Sequence, residues 1–160
     1  MKLKREILPI WFLAIAMILF VACGQRNSNK NIERADHVNS QVLSIDTFSA
    51  IPPEIEGCSC YFSNDSTEFK KAEYIYMNDF AQISFLKING VLTKFTQTDY
   101  KKVSKTTTIA KAKSDLYEIT VEVKDGKQNG YETSFKSGTI RLTDKNGKTI
   151  TKTFYGECGC

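Results

Sequence analysis

Four cysteines in two C-x-C pairs constrain this chain more than any other feature. Cys58 and Cys60 open a strand-like region, and Cys158 and Cys160 close it, about a hundred residues later. If each pair lies on a β-strand, both of its sulfurs point to one face, because side chains alternate with a period of two. Two such strands side by side would join the ends of the region. Two connectivities achieve this: Cys58–Cys158 with Cys60–Cys160, or the crossed pairing Cys58–Cys160 with Cys60–Cys158. The first closure would stabilise by about 4.7 kcal/mol through loss of chain entropy in the unfolded state. The second adds far less, since its ends are already held, and serves mainly to pin register.

The sequence between the pairs reads almost throughout as short strands. Val42 to Phe48 is expected as the first strand, and Pro52-Pro53 stops it, because proline lacks the ladder donor. Glu54-Ile55-Glu56-Gly57 leads into the first cysteine pair, and Asn64-Asp65-Ser66 marks a turn. Glu73 to Met77 and Phe80 to Ile88 are rich in aromatic and β-branched residues. Asn89-Gly90 between apolar runs predicts a type I′ hairpin, with Ile88 facing Val91, Leu86 facing Thr93 and Ser84 facing Phe95. Lys101 to Lys113 is compatible with strand or helix. Tyr117 to Lys124 alternates apolar and polar residues strictly, the mark of a half-buried strand. Asp125-Gly126 and Asn129-Gly130 then read as punctuation, with Tyr131, Thr133 and Phe135 alternating next. A second hairpin is expected from Gly138–Thr143 and Thr149–Tyr155 around Asp144-Lys145-Asn146-Gly147. The sum is an all-β fold over residues 42–160. Seven to nine antiparallel strands should form a meander that closes as a small barrel or a strongly curved sandwich.

The amino-terminal residues speak to location. Lys2, Lys4 and Arg5 precede an apolar run from Ile7 to Ala22, about sixteen residues and shorter than the roughly twenty of a spanning helix. A positive start, a short apolar core and small residues before a cleavage point make an export signal. Leu19-Phe20-Val21-Ala22-Cys23-Gly24 resembles the lipobox of bacterial lipoproteins, with Phe20 where that motif usually carries Leu. The resemblance implies a type II signal peptide over residues 1–22. It also implies a diacylglycerol thioether on Cys23, and acylation (palmitate) of the new amino group. Several acyl chains, each CH₂ worth about 0.8 kcal/mol, would hold the protein on a bilayer. Gly24 after the lipidated cysteine is compatible with delivery to the outer membrane. The competing reading is an uncleaved signal anchor.

Removing 22 of the 160 residues leaves one domain and a tether. The signal carries three basic residues and one acidic, so the formal charge falls from +4 to +2. That balance gives no nucleic-acid or polyanion signature. Residues 23–41 hold the lipidated cysteine and a polar tether. His37, the only histidine, lies in it without expected partners.

In an exported chain the cysteines at 58, 60, 158 and 160 are expected to form disulfides. Two rival readings use the same four sulfurs. As thiolates they would bind Zn²⁺ or Cu(I), although C-x-C is not the usual zinc spacing. Alternatively each pair bridges within itself, giving strained and easily reduced loops suited to redox work. Catalysis finds little footing. A nucleophile needs a neighbouring base, and the one histidine sits in the tether. Glu54 and Glu56 read as surface carboxylates, and the segment from Asp125 to Gly130 lacks a calcium loop's alternating ligands. No enzyme and no cofactor are expected.

The sequence thus points to a lipid-anchored envelope protein acting through a non-catalytic binding domain. Its anchor, size and cysteines make it similar in organisation to lipoproteins that inhibit lysozymes. A structural or assembly subunit of the envelope, with a protein partner, is the alternative, and a thiolate metal protein the next. Tyr61, Tyr76 and Tyr155 are candidate contact residues that sequence does not separate from core. The mature domain, produced in an oxidising compartment, should weigh about four hydrogens less than its reduced mass and carry no metal. A reduced mass with one bound metal ion would instead make the C-x-C pairs the active part.

Overall fold

Alternation becomes strand, and strand becomes wall. The computed structural model describes residues 42–160; the expected signal, Cys23, the tether and His37 lie outside the described residues. The elements are β1 (Ile45–Asp46), β2 (Ser59–Ser63), α1 (Ser66–Lys70), β3 (Tyr76–Asn78), β4 (Ile83–Ile88) and β5 (Val91–Lys102). They continue as β6 (Thr107–Lys113), β7 (Tyr117–Gln128), β8 (Ser134–Asp144) and β9 (Thr149–Gly159). From β2 to β9 each strand pairs antiparallel with the next, and β9 returns to β2. The result is a closed eight-stranded barrel, not a sandwich, with β1 as an added strand. β5 occupies one edge of β4 over its whole length, so β1 and β3 share the other. β1 therefore completes the wall where the three-residue β3 stops short.

The Asn89-Gly90 hairpin has the expected register, with Ile88 opposite Val91, Leu86 opposite Thr93 and Ser84 opposite Phe95. Both turn residues take positive φ, 48° and 82°, as a type I′ turn demands. The turn is also tied to β1: Asn89 Oδ1 accepts the Ser44 N–H at 2.8 Å, and Asp46 Oδ2 accepts the Gly90 N–H at 2.6 Å. At Asp144–Gly147 the Asp144 carboxylate accepts the Asn146 and Lys148 N–H groups, both at 2.9 Å. This is the expected second hairpin, with β8 beginning earlier, at Ser134.

Three local expectations are corrected, and one left open between strand and helix is decided. Asn64-Asp65-Ser66 does not form a simple turn. It starts α1, because Asp65 Oδ1 caps the helix by accepting the Thr67 and Glu68 N–H groups at 2.7 and 3.0 Å. Phe80 is not in β4 but in the preceding loop, at φ 63°. Lys101–Lys113 forms no helix; it supplies the end of β5, a turn and β6. Asp125-Gly126 does not end β7, which runs on to Gln128 through a register shift. That irregularity absorbs the glycine without ending the ladder.

Register sorts inward from outward residues around the ring. Inward are Ile119 and Val121 on β7, opposite Leu142 and Ile140 on β8, with Phe154 on β9, Phe62 on β2, Leu86 on β4 and Phe95 on β5. Outward residues on β7 and β8 are Glu118, Thr120, Glu122, Thr139, Arg141 and Thr143. This polarity is the reverse of a barrel that crosses lipid. Outside β3 and β4 a second apolar cluster gathers Met77 and Phe85 under Phe48 and Ile55 of the incoming chain.

Two inward glycines make room for rings at the β8–β9–β2 wall. A Cβ on Gly138 would collide with the Glu122 carbonyl and press on the Phe154 ring. One on Gly156 would collide with the Tyr61 carbonyl and the Phe62 ring. Phe62 and Phe154 stack with centroids 4.1 Å apart. Gly156→Ala should therefore destabilise the oxidised protein by about 1–3 kcal/mol through overpacking, read as a lower urea midpoint. Thr151→Ala on the exposed face is the control, expected within about 0.5 kcal/mol of wild type.

Candidate functional site

The barrel interior divides into a filled half and an open half. Toward the ends of β2 and β4 that lead to α1 and Asn89-Gly90, the inward positions carry Phe62, Leu86, Ile88, Phe95, Ile140 and Leu142, all buried. Toward the opposite end they become small: Ala112 and Ala110 on β6, Ser84 on β4, Gly138 on β8. A cavity of about 370 Å³ results, opening between the 79–82, 103–106 and 129–133 connections. Its deep wall is apolar, formed by Ala112, Ile119 and Val121, with Val123 and the half-cystines Cys60 and Cys158 nearer the mouth.

The cysteines pair in the crossed way, Cys58–Cys160 and Cys60–Cys158. The geometry follows from antiparallel pairing, in which Cys60 faces Cys158 and the next residues out continue the register. The parallel-order pairing and bridges within each C-x-C are both excluded by it. With each sulfur bonded to another, no thiolate is left in this oxidised form for zinc or copper(I). Cys60 and Cys158 are buried, whereas Cys160 is exposed and Cys58 half-buried.

Polar groups line the mouth. Asn78 Nδ2 donates to the buried Tyr76 hydroxyl at 3.1 Å. Burial pushes the Tyr76 phenol up, outweighing its hydrogen bonds with Asn78 and Ser84, so it stays a neutral donor. Asp125 and Lys136 face each other across β7 and β8 with Oδ1 and Nζ 2.7 Å apart. The Lys136 side chain is only 14 % exposed and that of Asp125 45 %, so the ammonium is the sheltered partner. Tyr100 and Lys102 point inward from β5, because the shift between Gln97 and Asp99 reverses which residues face the lumen.

Asp79 organises the loop over the mouth. Its Oδ1 accepts the N–H groups of Ala81, Gln82 and Ile83 at 3.0, 2.9 and 2.9 Å. Burial would raise this carboxyl, but the bonded N–H groups of Ile83, Ala81 and Gln82 win and hold it below its usual value. The loop presents Phe80, 55 % exposed, at the rim.

Other sequence candidates lie elsewhere. Glu54 pairs with Lys94 at 3.6 Å on the outer surface, and Glu56 is exposed nearby, so the two form no carboxylate dyad in the cavity. Tyr61 faces outward against Tyr74, and Tyr155 packs outside between Phe69 and Phe135. Of the three tyrosines only Tyr76 reaches the cavity. Sequence reading missed Asn78, Asp79, Lys102, Asp125 and Lys136. The signal for Asp125 was present, since it continues the odd-numbered face of Ile119, Val121 and Val123.

The chain matches no family model, and no curated protein or solved structure is similar to it.

The Asp79 loop is testable by pH. A carboxyl lowered in the folded state contributes stability above its unfolded value, about 3.9, and loses it as pH falls through the folded value. The gap in unfolding free energy between wild type and Asp79→Ala should be constant at neutral pH and shrink in acid below that range. A gap independent of pH would show that the carboxylate does not hold the loop.

Proposed function

We propose that this chain is a bacterial lipoprotein, held in the cell envelope through Cys23, whose barrel binds one small, largely apolar molecule. The observation that carries the binding role is the cavity of about 370 Å³ in the open half of the barrel. Its size falls within the roughly 300–1,000 Å³ of small-molecule sites, and its apolar wall with a few convergent polar groups is their usual make-up. An eight-stranded barrel has a lumen that side chains can fill or that can hold one ligand. Here the same barrel does both, one in each half. An apolar hollow forfeits packing contacts, so a fold selected for stability alone would fill it.

Binding without catalysis is the reading we favour. Among the described residues there is no histidine, and the four cysteines are tied in disulfides, so neither a Ser-His nor a Cys-His pair stands in the wall. Asp79 and Asp125, the carboxylates at the mouth, are engaged by backbone N–H groups and by Lys136.

The uncharged dye Nile red should bind the Cys23→Ser chain, residues 23–160, with one site per molecule. Ala112→Phe, which places a ring in the cavity, should weaken it about tenfold or more while leaving the circular dichroism spectrum unchanged. Equal binding by the variant would reject the cavity as the site. In cells the wild-type chain should incorporate labelled palmitate and sediment with membranes, and Cys23→Ser should do neither.

A further inference from the structure

The cavity is graded in polarity from floor to mouth, and the grading narrows the ligand; this step rests on the binding role proposed above. Deep in the lumen Ala112, Ile119 and Val121 offer no hydrogen-bonding side chain. At the rim Phe80 extends the apolar lining outward, and four charged side chains gather: Asp79, Lys102, Asp125 and Lys136. Three of these are already engaged. Asp79 holds three backbone N–H groups, and Asp125 holds Lys136. Lys102 faces the lumen beside Thr108, and its side chain has no ion-pair or hydrogen-bond partner among the described residues.

The charged side chain at the rim that has no partner among the described residues is therefore the Lys102 ammonium, set above an apolar shaft. A cationic head would be repelled by Lys102, and the Oδ1 atoms of Asp79 and Asp125 are already engaged. An uncharged head would gain less from it than an anion, since only the anion adds charge to the hydrogen bond. We propose that the cavity takes a single-chain amphiphile, its hydrocarbon tail against Ala112, Ile119 and Val121 and its anionic head, a carboxylate or phosphate monoester, at Lys102. The Tyr76 hydroxyl, kept neutral by burial, lines the same lumen and can donate where the head meets the shaft.

Calorimetric titration of the Cys23→Ser chain, residues 23–160, with decanoate, decyl phosphate, decanol and decyltrimethylammonium tests this. Acetate and inorganic phosphate serve as heads without tails. Decanoate or decyl phosphate should bind one per chain and about fivefold tighter than decanol, as one partly exposed ion pair allows. The cation should bind more weakly than decanol, and the tailless anions should give no heat. Lys102→Gln should bring the anionic ligands down to decanol's affinity and leave decanol unchanged. Equal affinity for decanoate, decyl phosphate and decanol, or a preference that survives Lys102→Gln, would overturn the anionic head and leave the apolar cavity standing. Heat from acetate or inorganic phosphate matching the decyl anions would overturn the amphiphile in favour of a bare anion site. Failure of every decyl ligand to bind, or undiminished binding by both Ala112→Phe and the rim variant Thr108→Trp, would overturn the cavity reading itself.

Discussion

The β2–β9 seam is the constraint on which the barrel depends. Every other pair of neighbouring strands in the ring is adjacent in sequence, so local turns can deliver it. The seam must instead be found across nearly the whole domain, and it pairs only five residues of β2 with β9. Long-range pairing of this kind pays its loop-closure entropy before any contact rewards it. The two disulfides remove most of that cost from the unfolded chain once formed. They also select register, because a slip of one residue would put Cys60 and Cys158 on opposite faces of the wall. Gly156 and the Phe62–Phe154 stack then close the same seam by packing. Covalent and steric devices thus converge on the one contact the meander cannot make locally.

Closing the ring creates a lumen whose contents are set strand by strand. Along β8 the inward series runs Leu142, Ile140, Gly138, Lys136, and along β7 it runs Ile119, Val121, Val123, Asp125. Each series passes from bulk to polarity in the same direction, so the filled and open halves are properties of the whole ring. The filled half carries the large apolar burial that offsets chain entropy. That leaves the open half free to be shaped for something other than stability. The inner disulfide belongs to both, since it secures the seam and faces the cavity, while the outer bridge covers it at the barrel's end.

What sequence disclosed and what it hid divide along the same line. The Asn89-Gly90 hairpin was legible to the residue, because a type I′ turn fixes register with two positive φ values. The Tyr117–Lys124 strand was legible because its inner face is apolar and its outer face polar. Where inward residues turn polar, that contrast vanishes, and Asp125-Gly126 reads as a turn although the strand continues. Tyr100 and Lys102 were hidden for a different reason: the irregularity after Gln97 exchanges the two faces, and no composition signal marks it. The helix α1 was a lesser loss, since Asp65 with Glu68 three residues on is a capping pattern that a five-residue helix hardly distinguishes from a turn. The positions that break the pattern are the ones that make the mouth, which is where a site is expected to depart from folding rules.

Topology also separates the entry of β1 into the wall from the mouth of the cavity. Ser44 and Asp46 are bonded to Asn89 and Gly90, so the chain arrives at the filled end, beside the β4–β5 turn. The mouth lies at the other end, among the 79–82, 103–106 and 129–133 connections. The end of the barrel that receives the chain at β1 is thus the one whose inward positions carry Leu86, Ile88 and Phe95, and the end with Phe80 and Lys102 at its rim is the other.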